Sequence, residues 1–315
     1  YEICACLGGS EMCIRDRNKR AGNTDSMSDS RGMRRNSMED AEVLKELYET
    51  IKQNSKADYA GIIEQRASYP YLYHLSQIRE NLVSFLPFDK DMRVLECNPE
   101  CGALTGKLLA MTGGVTVLAE SELQEKILRE RFMEPQEREK LDIRRLLPEH
   151  GRFDAILIAG HFYRWEKQLP ALRELLAPGG KLYVADANRI GLKYLAGCQE
   201  EYCGGYFTGI DGYPDAAAVG RSGRSYSRAE YTGLLQAAGF GGLTFYYPYP
   251  DHKFPSVIYS DEWLPQKGEL AEGRSNYDRD RVACFNERGM FDSLLEEGVF
   301  QTFSNSFLIE AVQEG

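Results

Sequence analysis

Two acidic residues twenty-four positions apart, Glu96 and Glu120, each close a short apolar run. A carboxylate at the end of the second run can accept hydrogen bonds from both hydroxyls of a ribose, and charge-assisted bonds of that kind are among the stronger ones. A solvated acid just past a strand is the plain alternative. Behind Glu96 comes the turn Cys97-Asn-Pro-Glu-Cys-Gly102. Gly102 lets backbone approach a ligand closely and tolerates positive φ. Asn98 visits the left-handed region more readily than most residues. Pro99 fixes φ and removes one amide donor, while Glu100 adds a side chain and a negative charge. Free amides at the head of the next helix complete a ligand-binding corner. His161, directly after Gly160, is a candidate general base, with a structural imidazole as the alternative. Asp186 and Asn188 are the other polar residues placed to touch a substrate.

The elements that position these residues read as alternating strands and helices. Val94 and Leu95 end a buried strand, and a helix over 103–111 turns Leu104, Leu108 and Leu109 inward. A second strand spans 115–119. The capping box Ser121-Glu-Leu-Gln124 opens the next helix, with Leu123, Ile127, Leu128 and Phe132 on its buried face. Strands follow at about 141–146, 153–160, 181–186 and 243–247. Helices are predicted over 169–176 and from the box Ser227-Arg-Ala-Glu230 to Gly239. Pro178-Gly-Gly180 reads as a turn, and 303–312 as the last strand. This alternation implies a Rossmann-like, doubly wound α/β sheet with right-handed crossovers. Ahead of it, residues 38–90 form a helical cover. Its first helix starts at Met38 and buries Val43, Leu44, Leu47, Tyr48 and Ile51. An aromatic connector spans 69–75, and a helix over 76–86 faces inward through Ile78, Leu82, Val83 and Leu86.

Two long interruptions, 187–226 and 248–302, leave the C-terminal ends of strands, the face on which open α/β sheets bind ligands. They are expected to form a lid. Tyr246, Tyr247, Tyr249, Phe254, Tyr259 and Trp263 either present rings to a ligand or pack the lid's own small core. Lys193, Arg221 and Arg224 either bind an anionic acceptor or form a solvated face.

The chain of 315 residues carries a net charge of −10 and a pI near 5.1, which argues against a nucleic-acid scaffold. No apolar run approaches the ~20 residues of a membrane span, and no signal segment is apparent. A soluble cytoplasmic protein is expected. Residues 1–17 lack periodicity and resemble translated library adapter, and 17–36 are polar and basic. The segment 1–37 is therefore expected to take no part in the fold, with Met27, Met33 or Met38 as the start. Cys4, Cys6 and Cys13 fall within it. Cys97, Cys101, Cys198, Cys203 and Cys284 lack zinc-site spacing and read as buried or incidental thiols, with a metal or redox set as the alternative.

The stretch from Arg93 to Gly106 resembles the first motif of class I S-adenosylmethionine-dependent methyltransferases, an acid followed by a Gly-x-Gly-x-Gly turn. Glu96 matches the acid and Gly102 the last glycine, whereas the other two glycine positions hold Asn98 and Glu100. Further runs resemble a bacterial branch of that family associated with cell-surface polysaccharide synthesis. They are Asn188-Arg-Ile-Gly-Leu-Lys-Tyr-Leu-Ala-Gly197, Gly209-Ile-Asp-Gly-Tyr-Pro214, Phe245-Tyr-Tyr-Pro-Tyr-Pro-Asp-His-Lys-Phe-Pro255 and Phe303-Ser-Asn-Ser-Phe307. An acidic residue often stands in that branch where this chain has Tyr163. The likeness runs from about Tyr71 onward and makes 91–315 the methyltransferase-like domain. It implies a seven-stranded sheet whose antiparallel last strand lies beside the sixth, and S-adenosylmethionine as cofactor. Glu96, Asn98, Cys101, Gly102, Glu120 and Gly160 would hold that cofactor, and His161 and Asn188 would be catalytic. The implied acceptor is a small molecule or a glycan, with glycan-synthesis enzymes as partners. A catalytically silent, methyltransferase-like binding protein is the alternative, and an NAD-dependent oxidoreductase the third reading.

Overall fold

Short Val-, Leu- and Ile-rich runs, buried on both faces, form the parallel heart of an eight-stranded sheet. The computed structural model describes residues 31–214, 223–270 and 283–313. Its parallel strands are β1 (Arg93–Glu96), β2 (Gly114–Leu118), β3 (Leu141–Arg144), β4 (Phe153–Ala159) and β5 (Leu176–Ala187), ordered β3-β2-β1-β4-β5. The chain runs outward from β1 to β3 and returns on the other side as β4. The switch of direction therefore lies between the C-terminal ends of β1 and β4, where doubly wound sheets bind ligands.

The remaining strands are β6 (Phe240–Tyr249), β7 (Val257–Ser260) and β8 (Ser306–Gln313). β8 inserts antiparallel between β5 and β6, pairing Ala185 with Leu308 on one side and Phe245 with Ile309 on the other. The antiparallel last strand is thus as expected, but it starts at Ser306. The eighth strand, β7, comes from the second insertion and pairs Tyr259 with Tyr247 at the sheet edge. Part of the expected lid is therefore sheet. Pro178-Gly-Gly180 lies within the irregular start of β5, where the pairing with β4 shifts register.

Twelve α-helical segments are described: α1 (Arg31–Gln53), α2 (Tyr59–Arg66), α3 (Tyr69–Leu75), α4 (Asn81–Ser84), α5 (Thr105–Met111), α6 (Glu122–Arg131), α7 (Pro135–Lys140), α8 (Leu169–Leu175), α9 (Leu192–Leu195), α10 (Arg228–Ala237), α11 (Glu287–Glu296) and α12 (Phe300–Phe303). The cover helix begins at Arg31 rather than Met38. Leu47 and Ile51 bury against Tyr59, Ile63, Tyr71, Leu75, Cys101 and Ile127 in one cluster, which seats the cover on α6. The predicted aromatic connector is a helix, α3. Pro70 sits in its first turn, where a fixed φ favours the helix and the missing N–H costs nothing. The helix predicted over 76–86 is instead a 3₁₀ turn (Gln77–Glu80) followed by α4, because Ser76 caps Ile78 and tightens the start.

Two capping patterns matter for the site. Ser227 and Glu230 form the expected reciprocal box. Ser121 Oγ accepts from Gln124 N at 3.1 Å, whereas the Gln124 side chain reaches past Ser121 to the amide of Glu120, at 2.6 Å. That bond fixes the backbone of Glu120 at the end of β2. Among the described residues no helix is long and apolar enough to cross a membrane.

Candidate functional site

β1 delivers Glu96 into the interior. Thr105 Oγ1 donates to its Oε2 at 2.6 Å, while Oε1 is buried without a partner. Burial, only partly offset by the Thr105 bond, raises the carboxyl to about 7. In the turn that follows, the left-handed residues are Glu100 (φ 52°) and Gly102 (φ 82°), not Asn98. Gly102 is required twice over, since a Cβ there would lie 2.6 Å from the Phe132 ring. Glu100 thus keeps the backbone shape of a glycine although it carries a side chain. Asn98 serves through its amide instead. It donates to the Gly160 carbonyl and accepts from Trp165 Nε1 at 2.9 Å, stapling the β1 turn to the segment after β4. Cys101 turns into the apolar cluster beneath the cover, and its carbonyl takes a 2.7 Å bond from Arg131. Its thiol is pushed up to about 12, chiefly by burial.

Across the switch point, β4 is followed by two consecutive left-handed residues, Gly160 (φ 77°) and His161 (φ 52°). The His161 amide donates to Tyr202 Oη at 2.9 Å, and the Phe162 amide to Asp186 Oδ2 at 2.8 Å. Tyr202 Oη donates in turn to Asp186. These bonds pin the reversal to the end of β5. The His161 ring lies 5.1 Å from that of Tyr202 and 6.0 Å from that of Tyr163. Its Nε2 is 3.7 Å from Glu100 Oε1, an electrostatic contact too long for a hydrogen bond, and its Nδ1 is buried without a partner. Burial, reinforced by Arg164, lowers the imidazole to about 4 against the opposing pull of Glu201 and Glu120. The ring is neutral at pH 7. Asp186 goes the other way, raised by burial to about 7.

Glu120 stands half-exposed at the end of β2, and its carboxylate is paired with Arg164. Asn188, expected at the reacting centre, is a structural pin. Its Nδ2 donates to the carbonyls of Thr302 and Ser304 at 2.8 and 2.7 Å, and its Oδ1 accepts from Ile190. The residues brought together are therefore Glu96, Asn98, Glu100, Gly102, Gly160 and His161, with Glu120 at the rim and Asn188 apart. Three of the six roof aromatics pack on rings of the lid, Tyr247 and Tyr259 on Phe300 and Tyr249 on Phe291, whereas Tyr246 packs on Phe85 and Phe254 on Tyr69 and Tyr73 of the cover, and Trp263 is exposed. Lys193 is buried against Asp251 rather than solvated, and Arg224 pairs with Glu230. Arg221 lies outside the described residues. Cys97, Cys101, Cys198 and Cys203 are buried and in no disulfide, and Cys284 is exposed.

Sequence reasoning missed Arg164, Trp165 and Tyr202. All three act across long stretches of chain, Tyr202 from within an insertion, and no local pattern marks them. Open grooves of about 350 and 750 Å³ lie away from the corner, beside Phe132 and Ile143 and beside Arg228 and Leu243.

No protein-family model matches the sequence, and no curated protein matches it. Solved structures resemble the fold. A chain from Haloferax volcanii, solved in complex with the Trm112 methyltransferase activator, aligns with a TM-score of 0.46 and 15% identity, covering 82% of this chain and 97% of that one. A Thermotoga maritima SAM-dependent methyltransferase, described as a possible histamine N-methyltransferase, gives 0.44 and 16% over 78% and 92%. A phosphoethanolamine N-methyltransferase of Haemonchus contortus, bound to phosphomonomethylethanolamine and S-adenosylhomocysteine, gives 0.44 and 15% over 76% and 52%. Each likeness is loose, and none assigns an activity to this chain.

Proposed function

We propose that the protein is a class I methyltransferase that binds S-adenosylmethionine at the β1–β4 switch point and methylates a small-molecule or glycan-type acceptor. One observation carries the reading. Two non-glycine residues, Glu100 and His161, are held in the left-handed conformation on either side of the switch point, and their side chains meet there. Such backbone strain costs on the order of 1–3 kcal/mol per residue and persists where the surroundings impose it, most often at functional sites.

The residues present fit the cofactor. The turn keeps two left-handed residues, and the buried Glu96 Oε1 and His161 Nδ1 are unpartnered. Glu120 would hold the ribose hydroxyls, backbone at Asn98, Cys101, Gly102 and Gly160 would line the remainder, and Glu96 would brace the turn. When bound, the cofactor supplies an electrophilic methyl group on a sulfonium. The chain's own contribution is alignment and proton handling. Glu100 beside Nε2 favours the tautomer with the proton on that nitrogen, which leaves the Nδ1 lone pair to take a proton from an acceptor hydroxyl. The imidazolium formed is then stabilised by the same carboxylate. Asn188 supports this arrangement from a distance by tying the end of β5 to the start of β8.

The glycan-type acceptor and association with glycan-synthesis enzymes are supported by the resemblance of the 188–197 and 245–255 runs to the polysaccharide-associated branch. A second reading, a catalytically silent binding protein, draws on the engagement of Asn98 by Trp165 and of Glu120 by Arg164. Ultraviolet cross-linking with methyl-labelled S-adenosylmethionine separates the two. Label in peptides containing residues 97–102 or 160–165 supports the enzyme, and no specific label supports the silent protein.

A further inference from the structure

One end of the sheet is β3, whose outer edge pairs with no described strand. β3 bonds to β2 alone, and its Arg144 carbonyl accepts from the Ala119 amide at 2.8 Å. Backbone groups alternate sides along a strand, so Asp142 and Arg144 spend theirs on β2, while Leu141 and Ile143 turn N–H and C=O outward. An open row of this kind is a template for another strand, and natural edges are commonly blunted by Lys, Pro or a bulge. The run Leu141-Asp-Ile-Arg144 has none of these. Its two charges are of opposite sign.

The side chains of β3 divide by face. Asp142 and Arg144 share one face, each 49% exposed and 2.7 Å apart. Leu141 and Ile143 share the other, where they line the groove of about 350 Å³ together with Phe132 and Met133. Met133 is 57% exposed there. A second copy added antiparallel to this edge about a two-fold axis has few registers open to it. Centred on Asp142 or on Arg144, the two strands set like charges directly opposite one another, which is destabilising. Centred on Ile143, Asp142 of each copy faces Arg144 of the other, and the outward N–H and C=O groups of the two Ile143 residues exchange hydrogen bonds. The same axis keeps like faces together, so Met133, Leu141 and Ile143 of both copies form one apolar strip across two joined grooves. The order acid, Ile, base thus makes the edge complementary to itself, and that selects a second copy as its partner.

We propose that the protein forms a two-fold dimer through antiparallel pairing of β3 with β3 of a second copy, in the register centred on Ile143. The dimer is independent of the methyl-transfer reading, because β3 lies at the far side of the sheet from β4 and β5. An edge this short predicts weak association, with a dissociation constant of roughly 10–100 μM. Sedimentation velocity on the full chain, carried to about 500 μM, tests it. The mass should rise with concentration from that of one 35.7 kDa chain towards twice that value. Asp142→Arg and Arg144→Asp should each weaken association about tenfold, and the two together should restore it to within about threefold of wild type. Hydrogen exchange on the wild-type chain supplies a readout that needs no variant: protection of the Ile143 amide should rise with concentration in step with the mass. That comparison decides the matter if a variant does not fold. A monomeric mass throughout overturns the proposal, and an Ile143 amide protected at every concentration in such a monomer shows that the same chain covers the edge. A dimer that leaves the Ile143 amide unprotected, or that the single reversals do not weaken, or that the double reversal does not restore, also overturns it.

Discussion

At the scale of single residues, two charges define how the corner behaves. Glu96 carries a folded-state carboxyl at about 7, raised by burial from an ordinary value near 4.5. A raised folded-state value contributes stability that is complete below the unfolded value and is lost as pH climbs through about 7. Glu96→Gln, which does not titrate, should therefore gain stability relative to wild type between pH 5 and pH 8, by on the order of 3 kcal/mol. Urea denaturation at the two pH values checks this, and an equal difference at both would refute the ionisation argument. Glu120 presents the opposite case, an acid at the rim whose carboxylate is taken by Arg164. Exposed pairs of this kind are worth about 0.2–1 kcal/mol. Arg164→Ala should accordingly tighten S-adenosylhomocysteine binding by roughly two- to fivefold at low salt, and by less at high salt. Titration at two ionic strengths reads the effect. Positions such as Glu96, Gly102 and Glu120 were legible because strand ends and a glycine turn have local signatures. The pairing of Glu120 with Arg164 was not, since forty-four residues separate the two.

At the scale of elements, the turns and the tie between β5 and β8 decide whether the site is held in shape. Asn188 was readable as a polar residue at a strand end, and that position suggested acceptor contact. Only the fold shows that its amide is spent on the carbonyls of Thr302 and Ser304, more than a hundred residues away. Asn188→Ala leaves two interior carbonyls without that donor and should destabilise the protein by about 2–3 kcal/mol. Thermal melting gives the size. A full loss of turnover with unchanged melting would restore a catalytic role. The helices followed their apolar periodicity except where a competing local bond won. Ser76 capped a 3₁₀ turn in place of a continuous helix, and Pro70 started a helix where the aromatic run read as a connector. β7 escaped notice because four residues among turns carry too little pattern to stand out from a loop.

At the scale of the whole molecule, the alternation of strands and helices was enough for the parallel half of the sheet. The place of β8 came from resemblance, because no local pattern states which neighbours a last strand will choose. The structure places it between β5 and β6, bonded on both edges. Ending the chain at residue 305 should therefore expose two strand edges and remove Phe307 and Ile309 from the core, abolishing cooperative unfolding. A truncated chain that still melts as a single transition would contradict this view of the sheet. The cover and the two insertions remain the parts least written in local sequence, since their helices and buried charges are fixed by partners far along the chain. Whether all of this surrounds a methyl-donor site is decided most directly by calorimetry with S-adenosylhomocysteine and NAD. S-adenosylhomocysteine should bind the wild-type chain, Glu120→Ala should weaken that binding about tenfold, and NAD should give no heat. Absence of S-adenosylhomocysteine binding to the wild type and to Arg164→Ala alike, or binding of NAD in its place, would contradict the assignment.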